Sequence, residues 1–388
     1  MRKLIIVIFS CLSAFFATAN DGVFYASGNQ LIPITETDIS VKKEVLTLNR
    51  VGDHLEVTVY YEFFNPVGEK ELLVGFEAQS PYNSMADAFK MLPKHPHIRN
   101  FKVVMNGEPL TYDIANVKSG RYDKHDNYIL SPYYANGRFL HWSPQQIEDT
   151  LTAWGDPPGL PIDYVYHFKA QFRPGLNIIQ HTYDFDLSFS VGEEFYFPYV
   201  LTAANRWANH QIDDFTLRIK VKNTAKQFCL LNDGLWNGAQ WRVTSGTGKV
   251  HTIKAGWGDG TEYYEFSLRN GTVEWHKTNF RPKSNFAIIS PDNVLFYRDD
   301  FKLGRFYDRT SAVLAPYEKL TDEDQKKGTT EGIANSRILR NLPYASRGYV
   351  FKDAKLAAYF KSLWWYMPDP SWQQSTSDFT SQEREWLK

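Results

Sequence analysis

The stretch HLEVTVYYEFFNP, residues 54–66, alternates apolar and polar side chains along most of its length. Because successive side chains of a β-strand point to opposite faces, a period of two indicates a strand with one buried face. Asn65 and Pro66 should end this strand, since proline has no backbone N–H for the sheet ladder and restricts the residue before it. The buried face is predicted to hold Leu55, Val57, Val59, Tyr61 and Phe63.

The same alternation continues through most of the chain between residues 40 and 300. KELLVGFEA (residues 70–78) is predicted to be the partner strand, and FKVVMNGEPLTYDI (residues 101–114) a hairpin with Asn106–Gly107 at its tip. Asparagine followed by glycine favours a type I′ turn, because both central residues need a positive φ. A later strand is predicted to place Phe215, Leu217, Ile219 and Val221 on one face, and two more strands are predicted on the two sides of Asn270–Gly271.

Strands without intervening helices indicate a mainly β fold, which we predict to be two antiparallel β-sandwich-like domains followed by a small α-helical module. The stretch at 112–161 breaks the strand pattern, and the sequence leaves open whether this insertion has a function or only connects strands. The predicted divisions are a signal peptide at 1–19, a β-sandwich domain with the long insertion at 20–162, a second β-sandwich domain at 163–319, a charged linker at 320–332 and a helical module at 333–388.

The first residues have the features of an export signal. Arg2 and Lys3 precede a short apolar run, and Ala17-Thr18-Ala19 is typical of a cleavage site. The run is too short to span a bilayer, and no later segment is apolar enough to form a transmembrane helix. We therefore expect an exported protein, periplasmic or extracellular, that begins at Asn20 after cleavage. A lipid-modified Cys11 is the alternative that the sequence favours less.

Charge and cysteine content exclude some classes of protein. The 43 basic and 44 acidic residues give a formal net charge of −1, which argues against a general nucleic-acid-binding protein. Cys229 is the one cysteine beyond the predicted signal peptide, so we expect a buried small hydrophobic residue rather than half of a disulfide. Such an exported protein must rely on its hydrophobic core, and an aromatic content of 16% can supply one.

The pattern becomes helical near the C-terminus. Ile338, Leu339 and Leu342 recur at helical spacing, and Asp353 is suited to cap a second helix. Gly348, between the two predicted helices, suits the left-handed end of the first. The second helix is predicted to bury Leu356, Phe360 and Leu363.

The segment LRNLPYASRGYVFKDAKLAAYFKSLWWY, residues 339–366, resembles the YARHG domain of exported bacterial proteins, and the resemblance covers about residues 330–388. At the Tyr-Ala-Arg-His-Gly motif this chain has Tyr344-Ala345-Ser346-Arg347-Gly348, so Ser346 replaces the family's arginine and Arg347 its histidine. The resemblance implies an extracytoplasmic domain with a link to the cell wall, from a family without an established enzyme activity. The other residues that carry it are Arg340-Asn341, Tyr349, Phe351, Tyr359-Phe360, Trp365-Tyr366 and Pro368.

The preceding β region resembles, more weakly, exported bacterial proteins with two tandem β domains. The stretches that carry this second resemblance are YYEFFNP, FKVVMNGEPL and YVLTAANRW. It implies a fold and no function.

Basic and aromatic side chains alternate in the C-terminal segment, a combination that can bind anionic polymers by charge and sugars or peptides by ring stacking. The competing interpretation is that the aromatic residues form the core of the module and the basic ones surround it. Arg347 could either bind an anion or fix the turn at Gly348, by pairing with Asp353 or with helix-end carbonyls. The candidate binding residues are Arg340, Tyr344, Arg347, Tyr349, Lys352, Lys355, Trp365 and Tyr366.

No catalytic motif is evident in the sequence, which contains no nucleophile elbow, P-loop or H-E-x-x-H segment. His95 and His97 could share a metal ion, but no cysteine or carboxylate stands at ligand spacing, so we predict neither a metal nor a cofactor. The acidic pairs Glu193-Glu194 and Asp213-Asp214 could serve glycoside cleavage only if the fold placed them suitably.

Three functions remain open. The preferred one is a non-catalytic exported cell-envelope protein that binds the cell wall or an envelope partner through its C-terminal module. The second is an exported hydrolase or carbohydrate-active enzyme with the insertion as its cleft. The third is a purely structural or assembly protein. The expected partner is peptidoglycan or an envelope protein, with no nucleic acid.

Overall fold

The computed structural model describes residues 21–27, 30–34, 36–52, 54–78, 94–118, 121–122, 128–129, 162–190, 193–236, 240–255, 260–291, 303–304 and 327–387. The predicted signal peptide, residues 130–161 of the insertion and residues 320–326 of the predicted linker lie outside this described part. Within it the protein is mainly β, with a few short helices near the C-terminus. The mainly β class and the helical C-terminal module are therefore confirmed.

The strands of the described residues form two large sheets and two small two-stranded sheets. In chain order they are β1 (Asp21–Ser27), β2 (Gln30–Ile34), β3 (Ser40–Val51), β4 (His54–Asn65), β5 (Lys70–Ala78), β6 (Ile98–Met105), β7 (Glu108–Leu110), β8 (Asp113–Lys118), β9 (Arg121–Tyr122), β10 (Tyr128–Ile129), β11 (Ile162–Phe172), β12 (Gly175–Asp186), β13 (Ser188–Ser190), β14 (Glu193–Tyr199), β15 (Ile212–Leu231), β16 (Arg242–Lys254), β17 (Glu262–Phe280), β18 (Phe286–Ile289), β19 (Thr329–Thr330) and β20 (Ile333–Ala334). The larger sheet has the order β13-β14-β18-β15-β3-β4-β12-β6-β7, with β17 pairing both β15 and β16, and the smaller has the order β2-β1-β5-β11-β8.

Strand β4 is the strand that HLEVTVYYEFFNP predicts. It ends at Asn65, whose Nδ2 donates to the Gly68 carbonyl at 2.9 Å while its Oδ1 accepts from the Val67 N–H at 3.2 Å. The predicted pairing of KELLVGFEA with β4 is wrong, because this turn carries the chain into the other sheet, where β5 pairs with β1 and β11. The predicted inward face is confirmed, since Leu55, Val57, Val59, Tyr61 and Phe63 are all buried.

Of the two Asn-Gly pairs that were predicted to be turns between strands, one forms a turn and the other does not. Asn106–Gly107 forms the predicted hairpin tip between β6 and β7, with φ values of 53° and 91°. The predicted pair of strands around Asn270–Gly271 is wrong, because β17 runs through it as one strand. A Cβ at Gly271 would lie 2.8 Å from the Ser245 carbonyl oxygen, so this glycine allows β16 to approach closely. Asn270, with a φ of 45°, lies at a register shift between β15 and β17 rather than at a reversal.

Strand pairing continues across the predicted boundary between residues 162 and 163. β11 begins at Ile162 and pairs with β5 and β8, and β12 pairs with β4 and β6. β3 and β15 pair in parallel, which also joins the two predicted domains within one sheet. The chain therefore has no break in hydrogen bonding at that boundary, and the arrangement as two sandwich-like domains stays a prediction.

The two large sheets contribute to one hydrophobic core. The Phe76 ring of β5 lies 5.7 Å from the Phe101 ring of β6 and 5.1 Å from the Tyr183 ring of β12, measured between centroids. The predicted burial of Cys229 is confirmed, as is the predicted inward face of β15. Aromatic side chains thus supply a large part of this core.

Three short α-helices follow within the described part: α1 (Asn335–Ser346), α2 (Ala354–Ser362) and α3 (Ser381–Trp386). The first two are the predicted helices, and Asp353 caps α2 by accepting a 2.9 Å hydrogen bond from the Leu356 N–H. Gly348 has the predicted positive φ, at 90°. Among the described residues, no helix is both long enough and apolar enough to cross a membrane.

Candidate functional site in the C-terminal module

The C-terminal module, residues 327–387, packs directly on the larger sheet. Its hydrophobic core continues into Ala225 and Cys229 of β15 and Ile253 of β16. Burial of apolar surface on both sides of this contact holds the module against the sheet. The module's own core residues include Ile338, Leu339, Leu342, Leu356, Tyr359, Phe360, Leu363, Trp365 and Tyr366.

Charged side chains on the sheet also contact the module, between residues 364 and 369. Lys249 of β16 donates from Nζ to the carbonyl oxygens of Trp364 at 3.1 Å and Tyr366 at 3.0 Å. Burial lowers the pKa of this lysine. Arg269 of β17, itself buried, donates from Nη1 to Asp369 Oδ2 at 3.0 Å. Because hydrogen bonds depend on geometry and apolar packing does not, these charge-assisted bonds fix the orientation of the module on the sheet.

A stacked ring completes this contact. The His251 imidazole lies parallel to the Trp364 indole, with centroids 3.7 Å apart and an interplanar angle of 3°. Its Nε2 lies 2.6 Å from Oε2 of Glu265, a carboxylate whose exposure is 0%. The module is therefore positioned by packing, charge and stacking together.

Arg347 is a buried link between α1 and α3. Its side chain is 2% exposed, and Nη1 and Nη2 each donate to a carboxylate oxygen of Glu383 at 3.1 Å. Nε donates to Asp378 at 2.9 Å, Nη1 donates to the Pro343 carbonyl at 2.7 Å, and the guanidinium lies 4.2 Å from the Phe379 ring centroid. Burial and the two-bond pairing favour the structural role for Arg347 over anion binding.

The predicted alternative in which Arg347 pairs with Asp353 is wrong. Asp353 pairs with Arg337 at 2.8 Å, and the Leu356 amide and Arg337 lower the pKa of Asp353. The alternative contact with a helix-end carbonyl is confirmed, through Pro343.

Helix α3, which supplies Glu383, was missed in the sequence. It begins with a capping box: the Glu383 N–H donates to Thr380 Oγ1 at 3.1 Å, and the Thr380 N–H donates to Glu383 Oε2 at 2.8 Å. The Thr-Ser-Gln-Glu spacing is the readable signal for such a helix start. Glu383 thus both caps α3 and holds Arg347.

The aromatic candidates belong mainly to the module's interior. Trp365 is 0% exposed and donates from Nε1 to the Gly304 carbonyl at 2.5 Å. Tyr366 is buried, and its hydroxyl donates to the Tyr349 carbonyl at 2.6 Å. Tyr344 and Tyr349 are half-buried, with ring centroids 6.1 Å apart. These positions favour a structural role for Trp365 and Tyr366 and leave the edges of Tyr344 and Tyr349 accessible.

The exposed basic candidates form a separate surface, which we call the basic face: Arg340 on α1, and Lys352 and Lys355 around the start of α2. All three side chains are exposed. The Arg337–Asp353 ion pair brings the middle of α1 to the start of α2. Arg340 lies one turn beyond Arg337, and the two lysines lie within two residues of Asp353, so this ion pair brings together the segments that carry the three positive charges.

Among the residues considered for metal binding and catalysis, His95, Asp213 and Asp214 have other contacts in the fold. His95 is buried, and its ring lies 5.2 Å from the Tyr164 ring. Asp213 pairs with Lys42 at 2.9 Å, and Asp214 lies 2.9 Å from the His276 Nε2. The Glu193 and Glu194 side chains lie outside the described residues. Among the residues that the structure describes, no group of three potential ligands is placed to hold a metal ion.

Comparison with known protein families identifies a YARHG domain at residues 313–388. The predicted family of the C-terminal module is therefore confirmed, and the match also includes the predicted linker at 320–332. No curated protein matches the chain.

Three solved structures can be aligned with this chain. A candidate nutrient-binding protein from Legionella pneumophila aligns over 96% of this chain and 96% of its own, at 16% identity and a TM-score of 0.48. An M1 zinc metallopeptidase from Deinococcus radiodurans aligns over 66% of this chain and 43% of its own, at 11% identity and a TM-score of 0.26. Baculovirus P35 aligns over 65% and 96%, at 10% identity and a TM-score of 0.21. At these identities and TM-scores none of the three decides a function.

Proposed function

We propose that this is an exported, non-catalytic cell-envelope protein that binds the cell wall or an envelope partner through the basic face of its C-terminal module. The observation that carries the proposal is the separation of roles within the YARHG domain. Arg347 and Trp365 are buried in its structure, whereas Arg340, Lys352 and Lys355 point to solvent.

The charge on the basic face is available to a ligand. Within the described part of the chain, Lys352 and Lys355 form no ion pair, and Arg340 donates only to the Ser336 carbonyl of its own helix, at 3.3 Å. Peptidoglycan peptides offer carboxylates, and other envelope polymers offer phosphates, both of which suit such cations. The half-buried rings of Tyr344 and Tyr349 can add stacking contacts.

The variant Arg340→Glu/Lys352→Glu/Lys355→Glu tests this assignment. Each exposed pair contributes about 0.2–1 kcal/mol, so reversing three charges should weaken binding to purified peptidoglycan or envelope extract about tenfold or more. Cosedimentation of the purified chain with each material, at low and high salt, measures the effect, and wild-type binding should fall as salt rises.

A matched variant controls for net charge. Lys94→Glu/Lys102→Glu/Lys283→Glu makes the same change in charge at exposed positions outside the module. Equal weakening by both variants would indicate a nonspecific charge effect and contradict the proposal, as would wild-type binding that salt does not change.

The structural or assembly alternative also has a specific observation in its favour, the packing of the module on β15 and β16. In that case the wild-type chain would bind none of these materials, and the basic face would be a solvated rim. The enzymatic alternative depends on the insertion, most of which lies outside the described residues.

A further inference from the structure

A pocket of about 160 Å³ lies where β15 separates from β3. The two strands pair in parallel as far as Arg50 and Val221. Just beyond, β15 shifts register against β17, and Asn223 adopts a φ of 68°. This irregular segment turns the backbone away from regular pairing and leaves a recess, as bulges beside binding sites often do.

Positively charged side chains line the pocket. Among the described residues, Arg50, Lys222 and Lys226 line it together with the carboxylate of Glu56. Arg50 is 7% exposed and Lys226 is 3% exposed, and the Arg50 guanidinium lies 4.6 Å from the Phe195 ring centroid. Because these cations are largely removed from water, their attraction for an anion is screened less than at an open surface.

A buried hydroxyl lines the same pocket. Thr224 is 1% exposed, and its Oγ1 makes no hydrogen bond within the described part of the chain. Buried polar groups in folded proteins nearly always have a hydrogen-bond partner, so a hydroxyl without one beside a charged recess points to a ligand. An anionic oxygen could accept its proton.

We propose that this pocket binds a small oxyanion of phosphate chemistry, either inorganic phosphate or the phosphoryl end of a larger molecule. A phosphate oxygen in the pocket would lie beside cationic side chains and could accept the proton of Thr224 Oγ1. The volume of about 160 Å³ is well below the roughly 300–1,000 Å³ of pockets for drug-sized ligands, so only a small ion or a terminal group fits. The site involves neither the module nor its basic face, and it is independent of the proposed envelope binding.

Titration calorimetry of the purified chain with inorganic phosphate and with glycerol phosphate, at constant ionic strength set with chloride, tests this site. We expect saturable binding of at least one of the two. Lys222→Ala and Thr224→Val should each weaken it about tenfold, since each removes a hydrogen bond to a charged group. Lys222 is exposed and valine has nearly the shape of threonine, so neither change should prevent folding, which circular dichroism can verify.

Lys220→Ala is the matched control, because Lys220 lies on the same strand and does not line the pocket. The affinity of this variant for phosphate should stay within about twofold of wild type, because Lys220 would not touch the ligand. Tighter binding of inorganic phosphate would assign the site to the free ion, and tighter binding of glycerol phosphate to the end of a larger ligand. Absence of saturable binding by both probes, or unchanged affinity in both pocket variants, would overturn the proposal.

Discussion

Arg347→Ala is expected to lower the free energy of unfolding of the C-terminal module by about 3–5 kcal/mol, as is usual when a buried ion pair loses one partner. The substitution would leave the Glu383 carboxylate, 1% exposed, without its two hydrogen bonds from the guanidinium. It would also remove the donors to Asp378 and to the Pro343 carbonyl. Urea unfolding followed by circular dichroism measures the loss.

Two comparisons make the Arg347 result specific. Arg340→Ala, at an exposed position of the helix α1 that Arg347 follows, should change stability by no more than about 0.5 kcal/mol. Arg347→Ala combined with Glu383→Gln should cost less than the sum of the two single changes, because the residues form one network. An Arg347→Ala protein as stable as Arg340→Ala that had lost envelope binding would instead make Arg347 a binding residue.

Trp365→Ala should be comparably severe, at about 3–5 kcal/mol, because the side chain is 0% exposed and its removal leaves a large cavity. The substitution also removes the Nε1 donor to the Gly304 carbonyl, a contact that joins the module to a preceding part of the chain. The midpoint and amplitude of thermal unfolding should both report the loss.

Trp365→Phe separates the two contributions at this position. It retains much of the apolar volume and removes the indole N–H, so it should cost about 1–3 kcal/mol, the range for leaving a buried acceptor unsatisfied. A Trp365→Ala variant with the stability of wild type and weaker binding would place Trp365 on the ligand surface, contrary to its position in the core.

The positions of the strands could be predicted from the sequence because they depend on local periodicity. One face of β4 must be buried, so the alternation of Leu55, Val57 and Val59 is enough to predict it. The strands that pair with β5 could not be predicted from the sequence, because pairing depends on where the turn at Asn65 directs the chain. Sequence alone likewise cannot distinguish Asn106–Gly107 from Asn270–Gly271, since the second pair lies inside one long strand, where Gly271 allows the close approach of the neighbouring strand β16.

The candidate site was predictable only as a set of alternatives. The sequence left a binding role and a structural role open for Arg347 and made Lys352 a binding candidate, whereas the fold buries the first against Glu383 and exposes the second. That difference arises from α3, which supplies Glu383. The sequence predicts the start of this helix through its capping box, but it does not predict what the helix packs against. The pocket proposed to bind an oxyanion could not be predicted from the sequence, because Arg50 and Thr224 come together through the pairing of β3 with β15.

The most direct test of envelope binding is to identify the surface that touches the partner. A photo-crosslinking benzophenone residue would replace Lys352 in the basic face or, as the control, the exposed Lys102 of β6. After irradiation of each purified chain with peptidoglycan and with envelope extract, we expect an adduct from position 352 that high salt suppresses, and little from position 102. Adducts from position 102 alone, or equal adducts from both positions at any salt concentration, would contradict binding through the basic face.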